Sequence, residues 1–182
     1  MLRKINNLKS FTVLIICLSS TNLLSQAIVN IEELRREGEI GFFTNISAGL
    51  DASRGNRDRD YYSLRIRFDN NSEDAESFLI MQQTERKSND IVMDKSKFIH
   101  GRYIFIGEDT IHWEMFAQYS ENPFRNYKKR SVLGGGLRFE LSKSGRLGAG
   151  LLNEEETDLT GKSKTTERLG FYFHTDFDIA EN

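Results

Sequence analysis

Residues 62–69 read YSLRIRFD, and this stretch decides the predicted fold. Its apolar and polar side chains alternate strictly, which is the period of a β-strand with two different faces. The same alternation recurs at residues 111–119, which read IHWEMFAQY, and again at residues 168–177. Because the helical period fails from Ile40 onward, we predict an all-β fold.

Eight candidate strands follow from this alternation, and turn-forming residues separate them. Segments rich in Asn, Asp, Ser and Gly at residues 69–72, 107–109 and 142–145 are typical of tight connections. The only proline, Pro123, is expected in a loop, because proline cannot donate to a strand ladder. The predicted strands lie at roughly residues 39–52, 60–70, 76–85, 96–107, 110–120, 130–142, 146–154 and 165–179.

The connections between the predicted strands differ in length. Those after the second, fourth and sixth strands are short, whereas those after the first, third, fifth and seventh are long and charged. Long loops alternating with tight turns are typical of an outer-membrane barrel, and strands of about 9–13 residues suit a tilted membrane crossing. We therefore predict an antiparallel up-and-down transmembrane β-barrel of about eight strands. The long connections are RGNRDRD (54–60), RKSNDIVMDK (86–95), ENPFRNYKK (121–129) and EETDLTGKSKT (155–165).

The N-terminus differs from the rest of the chain. Three basic residues precede an apolar run at residues 11–18, and Ser25-Gln26-Ala27 places small residues where signal peptidase cleaves. A membrane anchor is the alternative, but the run is shorter than the ~20 apolar residues of a spanning helix. We predict a signal peptide cleaved near Ala27, followed by export across the inner membrane of a Gram-negative cell to the outer membrane. The predicted domains are a signal peptide at 1–27, a periplasmic lead-in at 28–38 and an outer-membrane β-barrel at 39–182.

Composition excludes several classes of protein. The mean hydropathy of −0.52 excludes a bundle of membrane helices. The net charge of −2 argues against a nucleic-acid partner, whose binding proteins are normally basic. The only cysteine, Cys17, lies in the predicted signal peptide, so the mature chain cannot form a disulfide.

The two faces of the predicted strands differ in polarity. Periodicity does not decide whether the apolar face points outward to lipid or inward as the core of a soluble barrel or sandwich. The signal peptide and the very polar second face favour the membrane arrangement, with the polar face lining a lumen. The aromatic residues assigned to the apolar face are Tyr62, Tyr103, Trp113, Tyr119, Phe139, Phe171 and Phe173. The principal lumen-facing candidates are His100, Arg102, His112, Glu114, Gln118, Arg138 and Glu140.

The polar face invites an enzymatic hypothesis. His100, His112 and Glu114 are expected on adjacent strands, where a histidine and a carboxylate can form a general-base pair. A hydrolase also needs a nucleophile within hydrogen-bond reach, and Ser120 and Ser131 are candidates only by exclusion. We therefore predict a protein that is not an enzyme and keep a lumenal His/Glu hydrolase as the alternative.

Three other patterns are weighed against binding functions. His100, His112 and His174 match no compact zinc spacing, so neither a metal nor a cofactor is predicted. The glycines at 134–136 lack the lysine and helix of a phosphate loop, so they predict a strand bend or a close backbone approach. The basic residues 128–130 are expected either to be solvated or to meet anionic lipid headgroups.

Residues 98–141 carry a succession of motifs that resembles a known family. Residues 98–103 follow the pattern aromatic-x-His-x-Arg-Tyr, and residues 114–118 follow Glu-x-Phe-x-Gln. Residues 122–130 match Asn-x-Phe-x-x-Tyr-Lys-x-Arg, and residues 133–139 match Leu-Gly-x-Gly-x-Arg-Phe. In these motifs the chain resembles the bacterial domain-of-unknown-function family of salt-induced outer membrane proteins. The resemblance implies an outer-membrane β-barrel and no established reaction or ligand.

Members of that family usually carry further strands after the region that matches residues 168–177. The resemblance therefore implies either a C-terminally truncated member or an eight-strand minimum, which is the lower limit for bacterial barrels. The predicted function is an outer-membrane barrel of structural, stress-related or small-pore type. Its expected partners are outer-membrane lipid, lipopolysaccharide and the barrel assembly machinery. The alternative outside this class is a soluble periplasmic barrel that binds a small ligand.

Overall fold

The computed structural model describes residues 39–107, 110–141 and 145–175, and this part of the chain contains strands and connections but no helix. The predicted signal peptide and lead-in lie outside the described residues. The predicted number of strands is confirmed. The strands are β1 (Gly41–Ser53), β2 (Arg59–Asn71), β3 (Ala75–Ser88), β4 (Ile91–Phe105), β5 (Ile111–Arg125), β6 (Tyr127–Glu140), β7 (Gly145–Thr157) and β8 (Ser163–Thr175).

The strands form one antiparallel sheet in which each strand pairs with its neighbour in sequence, from β1 to β8. This confirms the predicted up-and-down order. The sheet has two ends, which we call the near end, where β1 begins, and the far end, where β1 finishes. Strands β2, β4 and β6 finish at the near end, whereas β1, β3, β5 and β7 finish at the far end, where connections 54–58, 89–90, 126 and 158–162 lie.

The predicted alternation of long and short connections is wrong. Only Asn89 and Asp90 join β3 to β4, and only Asn126 joins β5 to β6. Asn89 and Asp90 have φ angles of 49° and 64°, and positive φ at both central residues is the geometry of a tight two-residue hairpin. The charged residues expected in these loops instead extend the strands at the far end.

Pro123 does not lie in a loop as expected but inside β5. The register between β5 and β6 shifts between Glu121 and Arg125, so Pro123 falls where the regular ladder is interrupted. A bulge tolerates proline because its missing N–H is not needed for a ladder hydrogen bond. The side chain of Asn122 stabilises this irregular segment by accepting a hydrogen bond from the Phe124 amide at 3.1 Å.

One face of the sheet presents a continuous apolar surface, which we call the outer apolar band. Its side chains are exposed or half-buried, with Leu50 at 90% and Phe171 at 73% of their full accessible area. No side chain of this described band carries a charge. The band consists of Phe42, Thr44, Ile46, Ala48 and Leu50 (β1), Tyr62, Leu64, Ile66 and Phe68 (β2), Leu79 and Met81 (β3), Ile99, Gly101, Tyr103 and Phe105 (β4), Ile111, Trp113, Met115, Ala117 and Tyr119 (β5), Leu133, Gly135, Leu137 and Phe139 (β6), Leu147, Ala149 and Leu151 (β7), and Leu169, Phe171 and Phe173 (β8).

The opposite face, which we call the inner face, is polar and largely buried. His100 and Arg138 have no exposed surface, and Asp69, Arg102 and Glu114 are also buried. The described residues contain no second layer that could cover this face. Its side chains must therefore cover one another, which requires the sheet to curve toward the inner face.

The edges of the sheet are β1 and β8. Within the described residues, β1 pairs only with β2 and β8 pairs only with β7, so the sheet is not closed into the predicted barrel. The inner-face side chains Asn45 and Ser47 of β1 are consequently exposed, unlike those of the central strands.

Candidate functional site

The structure places all seven predicted lumen-facing residues on the inner face. His100 and Arg102 belong to β4, and their ladder partners on β5 are Gln118 and Phe116. His112 pairs with Arg138 across β5 and β6, and Glu114 and Glu140 follow the same side of these strands. The two-residue period of each strand explains this common placement, because every second side chain points to the same side of the sheet.

Glu114 is a buried carboxylate of the inner face that contacts side chains from two other strands. Tyr172 of β8 donates a hydrogen bond from its hydroxyl to Glu114 Oε2 at 3.0 Å, and Arg102 Nη1 lies 3.5 Å from the same oxygen. In a flat sheet β8 and β5 would be about 14 Å apart, since neighbouring strands are ~4.8 Å apart. The hydrogen bond from Tyr172 therefore depends on the curvature of the sheet.

Glycines provide the space that this contact requires. A Cβ atom at Gly148 would lie 2.0 Å from the ring of Tyr172, so only glycine allows the ring to lie over β7. A Cβ atom at Gly136 would lie 2.2 Å from the carbonyl oxygen of Ala149, where β6 approaches β7 closely. This confirms the close backbone approach predicted from the glycines at 134–136.

His100 is enclosed by aromatic rings. The rings of Phe78, Phe98 and Phe116 stack on it with centroid distances of 5.8, 6.1 and 5.9 Å. Its Nδ1 atom lies 3.3 Å from Gln118 Oε1, which can only accept, so Nδ1 donates in this pair. Among the described residues Nε2 has no hydrogen-bond partner. The surroundings of His100 are thus those of a packed side chain.

His112 connects the inner face to the near end. Its Nδ1 atom accepts a hydrogen bond from the Gly107 amide at 3.1 Å, which places the proton of a neutral ring on Nε2. Nε2 faces Glu140 Oε1 at 3.5 Å. This histidine therefore ties Gly107, just after β4, to β5 and β6.

A second group of charges lies nearer the far end of the inner face. Arg130 contacts Glu156 and Glu154, and Arg168 contacts Glu154 at 3.2 Å. Arg130 was expected to be solvated or to meet lipid as part of the basic cluster at 128–130, and this expectation is wrong for Arg130. Its position on β6 points its guanidinium toward the inner-face carboxylates instead.

Apolar side chains fill the inner face between these charged groups. They are contributed by five strands, from β3 to β7, and most of them are buried. A layer of this kind excludes water, because its side chains offer no hydrogen-bond partner. We call it the inner apolar layer, and it consists of Phe78, Ile80, Ile104, Phe116, Val132 and Leu152.

The geometry gives little support to hydrolysis or metal binding. Gln118, and not a serine, is the hydrogen-bond partner of His100, while Ser131 lies on the exposed side of β6. In the described part of the chain no three His, Cys, Asp or Glu side chains are close enough to hold a metal ion. What the arrangement does chemically is neutralise buried charges in pairs and connect distant strands.

Tyr172 is one of the inner-face residues that the sequence pattern does not single out, as are the buried Arg146 and Glu154. It stands between Phe171 and Phe173, so it reads as one member of an aromatic cluster. Strict alternation would have distinguished it, because its neighbours on either side belong to the apolar face. Its contact with Glu114 has no local signal, since the two residues are far apart in the sequence.

Comparison with known proteins identifies the family of this chain. Among the described residues no helix is long and apolar enough to cross a membrane. No curated protein and no solved structure matches the sequence. A family model described as "Protein of unknown function, DUF481" matches residues 46–177, which include the whole of β2 to β8 and most of β1. The chain therefore belongs to the DUF481 family of proteins of unknown function.

Proposed function

We propose that this protein is an integral outer-membrane β-barrel with a filled interior and a structural or stress-related role in the envelope. The observation that carries the proposal is the inverted distribution of polarity: the outer apolar band is exposed, whereas charged side chains are buried. In water such a distribution would leave a large apolar surface unsatisfied. In a lipid bilayer it is the expected one, because lipid solvates the outer face.

The dimensions of the band support this location. On β5 the band extends from Ile111 to Tyr119, about 27 Å along the strand at ~3.4 Å per residue. About nine to eleven residues are what a tilted strand needs to cross the hydrocarbon region. The far-end boundary is sharp. Toward the far end, the next outer residue after Ile99 on β4 is Lys97, and the next after Tyr119 on β5 is Glu121.

The outer aromatic residues also support a bilayer. They are concentrated toward the near end, and Tyr62 and Tyr119 lie at the opposite boundary of the band. Girdles of aromatic residues at the membrane interfaces are typical of outer-membrane barrels. The near-end group consists of Phe42, Phe68, Tyr103, Phe105, Trp113, Phe139, Phe171 and Phe173.

The proposal includes closure of the sheet by pairing β1 with β8. Unpaired backbone groups are very costly in hydrocarbon, so an open edge is not tolerated there. Both edges run antiparallel to each other in an up-and-down sheet of eight strands, which is the orientation that closure requires. The signal peptide and the barrel assembly machinery would supply the route to the membrane.

The inner apolar layer favours a structural role over a small pore. Water-filled barrels have polar interiors, whereas Phe78, Ile80 and Leu152 are buried across the middle of this inner face. Purified protein in a planar bilayer is therefore expected to show no discrete conductance steps. Stable steps that scale with salt concentration would support the small-pore function instead.

Cell fractionation tests the membrane location. The full chain should be extracted only by detergent, and its mobility on a denaturing gel should change on heating, as expected for a closed hydrogen-bonded barrel. A soluble periplasmic protein in the same cells serves as the control. Recovery of the mature chain in the periplasmic wash without detergent would contradict the proposal and favour the soluble ligand-binding barrel.

A further inference from the structure

Four lysines lie on the outer side of the sheet at the far end, just beyond the outer apolar band. Lys87 is on β3, Lys95 and Lys97 are on β4, and Lys129 is on β6. Their order along neighbouring strands follows from the register, which pairs Lys95 with Glu85 and places Glu121 between Lys97 and Lys129. We call this group the lysine cluster.

The ammonium groups of the cluster remain accessible. Lys87, Lys95 and Lys97 side chains are 42%, 45% and 47% exposed. Their aliphatic stems can lie along the apolar band while the charged heads reach the polar region, as lysines do at membrane interfaces. This position corresponds to the headgroup layer of the proposed bilayer.

Two carboxylates, Glu85 and Glu121, lie among the four lysines of the cluster, and Glu155 of β7 lies one outer position nearer the band than Lys129. Glu85 contacts Lys95 at 2.9 Å and Lys87 at 3.3 Å, so one carboxylate serves two lysines. Glu121 lies 3.3 Å from Lys97 and also accepts a hydrogen bond from the Tyr119 hydroxyl at 2.5 Å. The neighbouring Asp60 on β2 is neutralised by Arg54 at 2.6 Å.

The near end of the outer face has a different character. Among the described residues, its outer side chains include the aromatic group but neither lysine nor arginine. In the described part of the chain, the lysines on the outer side thus lie at the far-end boundary of the band. Such an asymmetry indicates that the two boundaries meet different chemical surroundings.

We propose that the lysine cluster binds phosphate groups of lipid headgroups in the leaflet at the far end. This inference rests on the proposed membrane location. Each ammonium has three donors, which exceeds what Glu85 and Glu121 can occupy, so phosphate oxygens can be bound without disrupting the existing ion pairs. Polybasic surfaces gain about 1 kcal/mol per lysine near an anionic membrane, which corresponds to about a fivefold change in affinity.

The test uses the full mature chain reconstituted into phosphatidylcholine vesicles that contain either bisphosphorylated or dephosphorylated lipid A. Retention of lipid A by the purified protein is measured for both. The wild type should retain the phosphorylated form preferentially. A variant with Lys95→Gln, Lys97→Gln and Lys129→Gln should lose most of this preference, about fivefold for each lysine removed.

Two further variants make the result specific. Glu121→Gln removes the negative charge between Lys97 and Lys129, so it should increase retention of phosphorylated lipid A. Lys162→Gln with Lys164→Gln removes two cations beside the β7–β8 connection and should leave the preference unchanged. Heat-modifiable mobility verifies that each variant is folded. If the triple variant does not fold, the single variant Lys97→Gln is used in its place.

The outcomes separate this inference from the proposed function. If folded wild type and triple variant retain both lipids equally, phosphate binding by the cluster is refuted while the membrane location stands. An equal loss of lipid preference in the Lys162→Gln, Lys164→Gln variant would also refute binding by the cluster, because the preference would then depend on the total charge of the protein. Failure of the wild type to enter vesicles would overturn both proposals.

Discussion

Glu114 shows how single residues determine what the inner face can be. A buried carboxylate without partners would be very unfavourable, but here Arg102 supplies the opposite charge and Tyr172 supplies a hydrogen bond. Because Tyr172 comes from β8 and Glu114 from β5, a local requirement for neutralisation also holds distant strands together. Loss of either Arg102 or Tyr172 is therefore expected to lower the stability of the whole inner face.

Replacing Tyr172 with phenylalanine tests this connection. The change keeps the ring above Gly148 but removes the donor to Glu114, so we expect a loss of about 1–3 kcal/mol in the free energy of unfolding. Urea unfolding of the protein in lipid vesicles measures it. Tyr62→Phe is the matched control, because Tyr62 lies on the outer side and its hydroxyl accepts a hydrogen bond from Gln83. Equal losses of unfolding free energy in the two variants would show that the hydrogen bond to Glu114 contributes no more than the one between Gln83 and Tyr62.

Asp158 predicts a pH dependence confined to one connection. The Thr160 hydroxyl and the amides of Lys162 and Thr160 donate to its carboxylate and hold the pKa of Asp158 below the ordinary value of 3.8. The resulting stabilisation is complete above the ordinary pKa and is lost as the pH falls through the lowered one. NMR titration of the Asp158 carboxyl carbon should give a midpoint below 3.8. A midpoint at or above this value would contradict the prediction, and Asp158→Asn serves to assign the signal.

At the scale of elements, the pairing of β6 with β7 depends on a glycine. In Gly136→Ala the new methyl group would meet the backbone oxygen of Ala149, which cannot move without separating the strands. We expect this variant to lose most of its heat-modifiable form. Gly101→Ala is the control, since the nearest atom to its Cβ would be 3.8 Å away. Normal assembly of the Gly136 variant would show that the close approach is dispensable.

The outer side of β7 distinguishes a membrane strand from a soluble one. Leu151→Lys places a charge in the outer apolar band, at a position that the register aligns with Met115 of β5, where lipid contact would make it unfavourable by about 2–4 kcal/mol. In a soluble protein the same exposed position would tolerate lysine within about 0.5 kcal/mol. Stability in vesicles and yield in the outer-membrane fraction measure the difference.

Leu159→Lys provides the control for Leu151→Lys. Leu159 is exposed in the connection at 158–162, beyond the far end of the strands, so its replacement should be neutral. If both lysine variants assemble as well as the wild type, the outer apolar band does not face lipid.

For the whole molecule, the decisive question is how the edges β1 and β8 are paired. We expect Asn45→Cys on β1 to form a disulfide with one member of a β8 series consisting of Thr166→Cys, Arg168→Cys and Gly170→Cys. Disulfides require Cβ atoms about 3.5–4.5 Å apart, so a bond reports direct pairing of the edges. The predicted absence of cysteine from the mature chain keeps the background low.

The control pairs Asn45→Cys with Gln118→Cys, which lies on the inner face of β5 in the middle of the sheet. This pair should not cross-link within one chain. Gel mobility without reductant separates the outcomes. Bonds formed only between two chains would show that β1 pairs with another copy, which would contradict closure within a single barrel.

The local sequence pattern is enough to predict the number and order of the strands and their separation into an apolar and a polar face. It also assigns residues such as His100, Glu114 and Arg138 to the polar face. These features were predictable because the two-residue period is a local property of the extended backbone. Prediction failed where local chemistry was ambiguous. Charged residues around Asn89 extend strands beyond the apolar band, and polar side chains there fit a strand as well as a loop.

Three features depend on the folded sheet as a whole: which face is exposed, the direction of the Arg130 side chain, and which residues come into contact across the sheet. Alternation is identical whether a sheet curves toward its polar or its apolar side, so exposure of Leu50 and burial of Arg138 depend on curvature. That curvature arises from the pairing of all eight strands and from close approaches at Gly136 and Gly148. The contact between Tyr172 and Glu114 exists only after the sheet has bent, because no local segment brings β8 to β5.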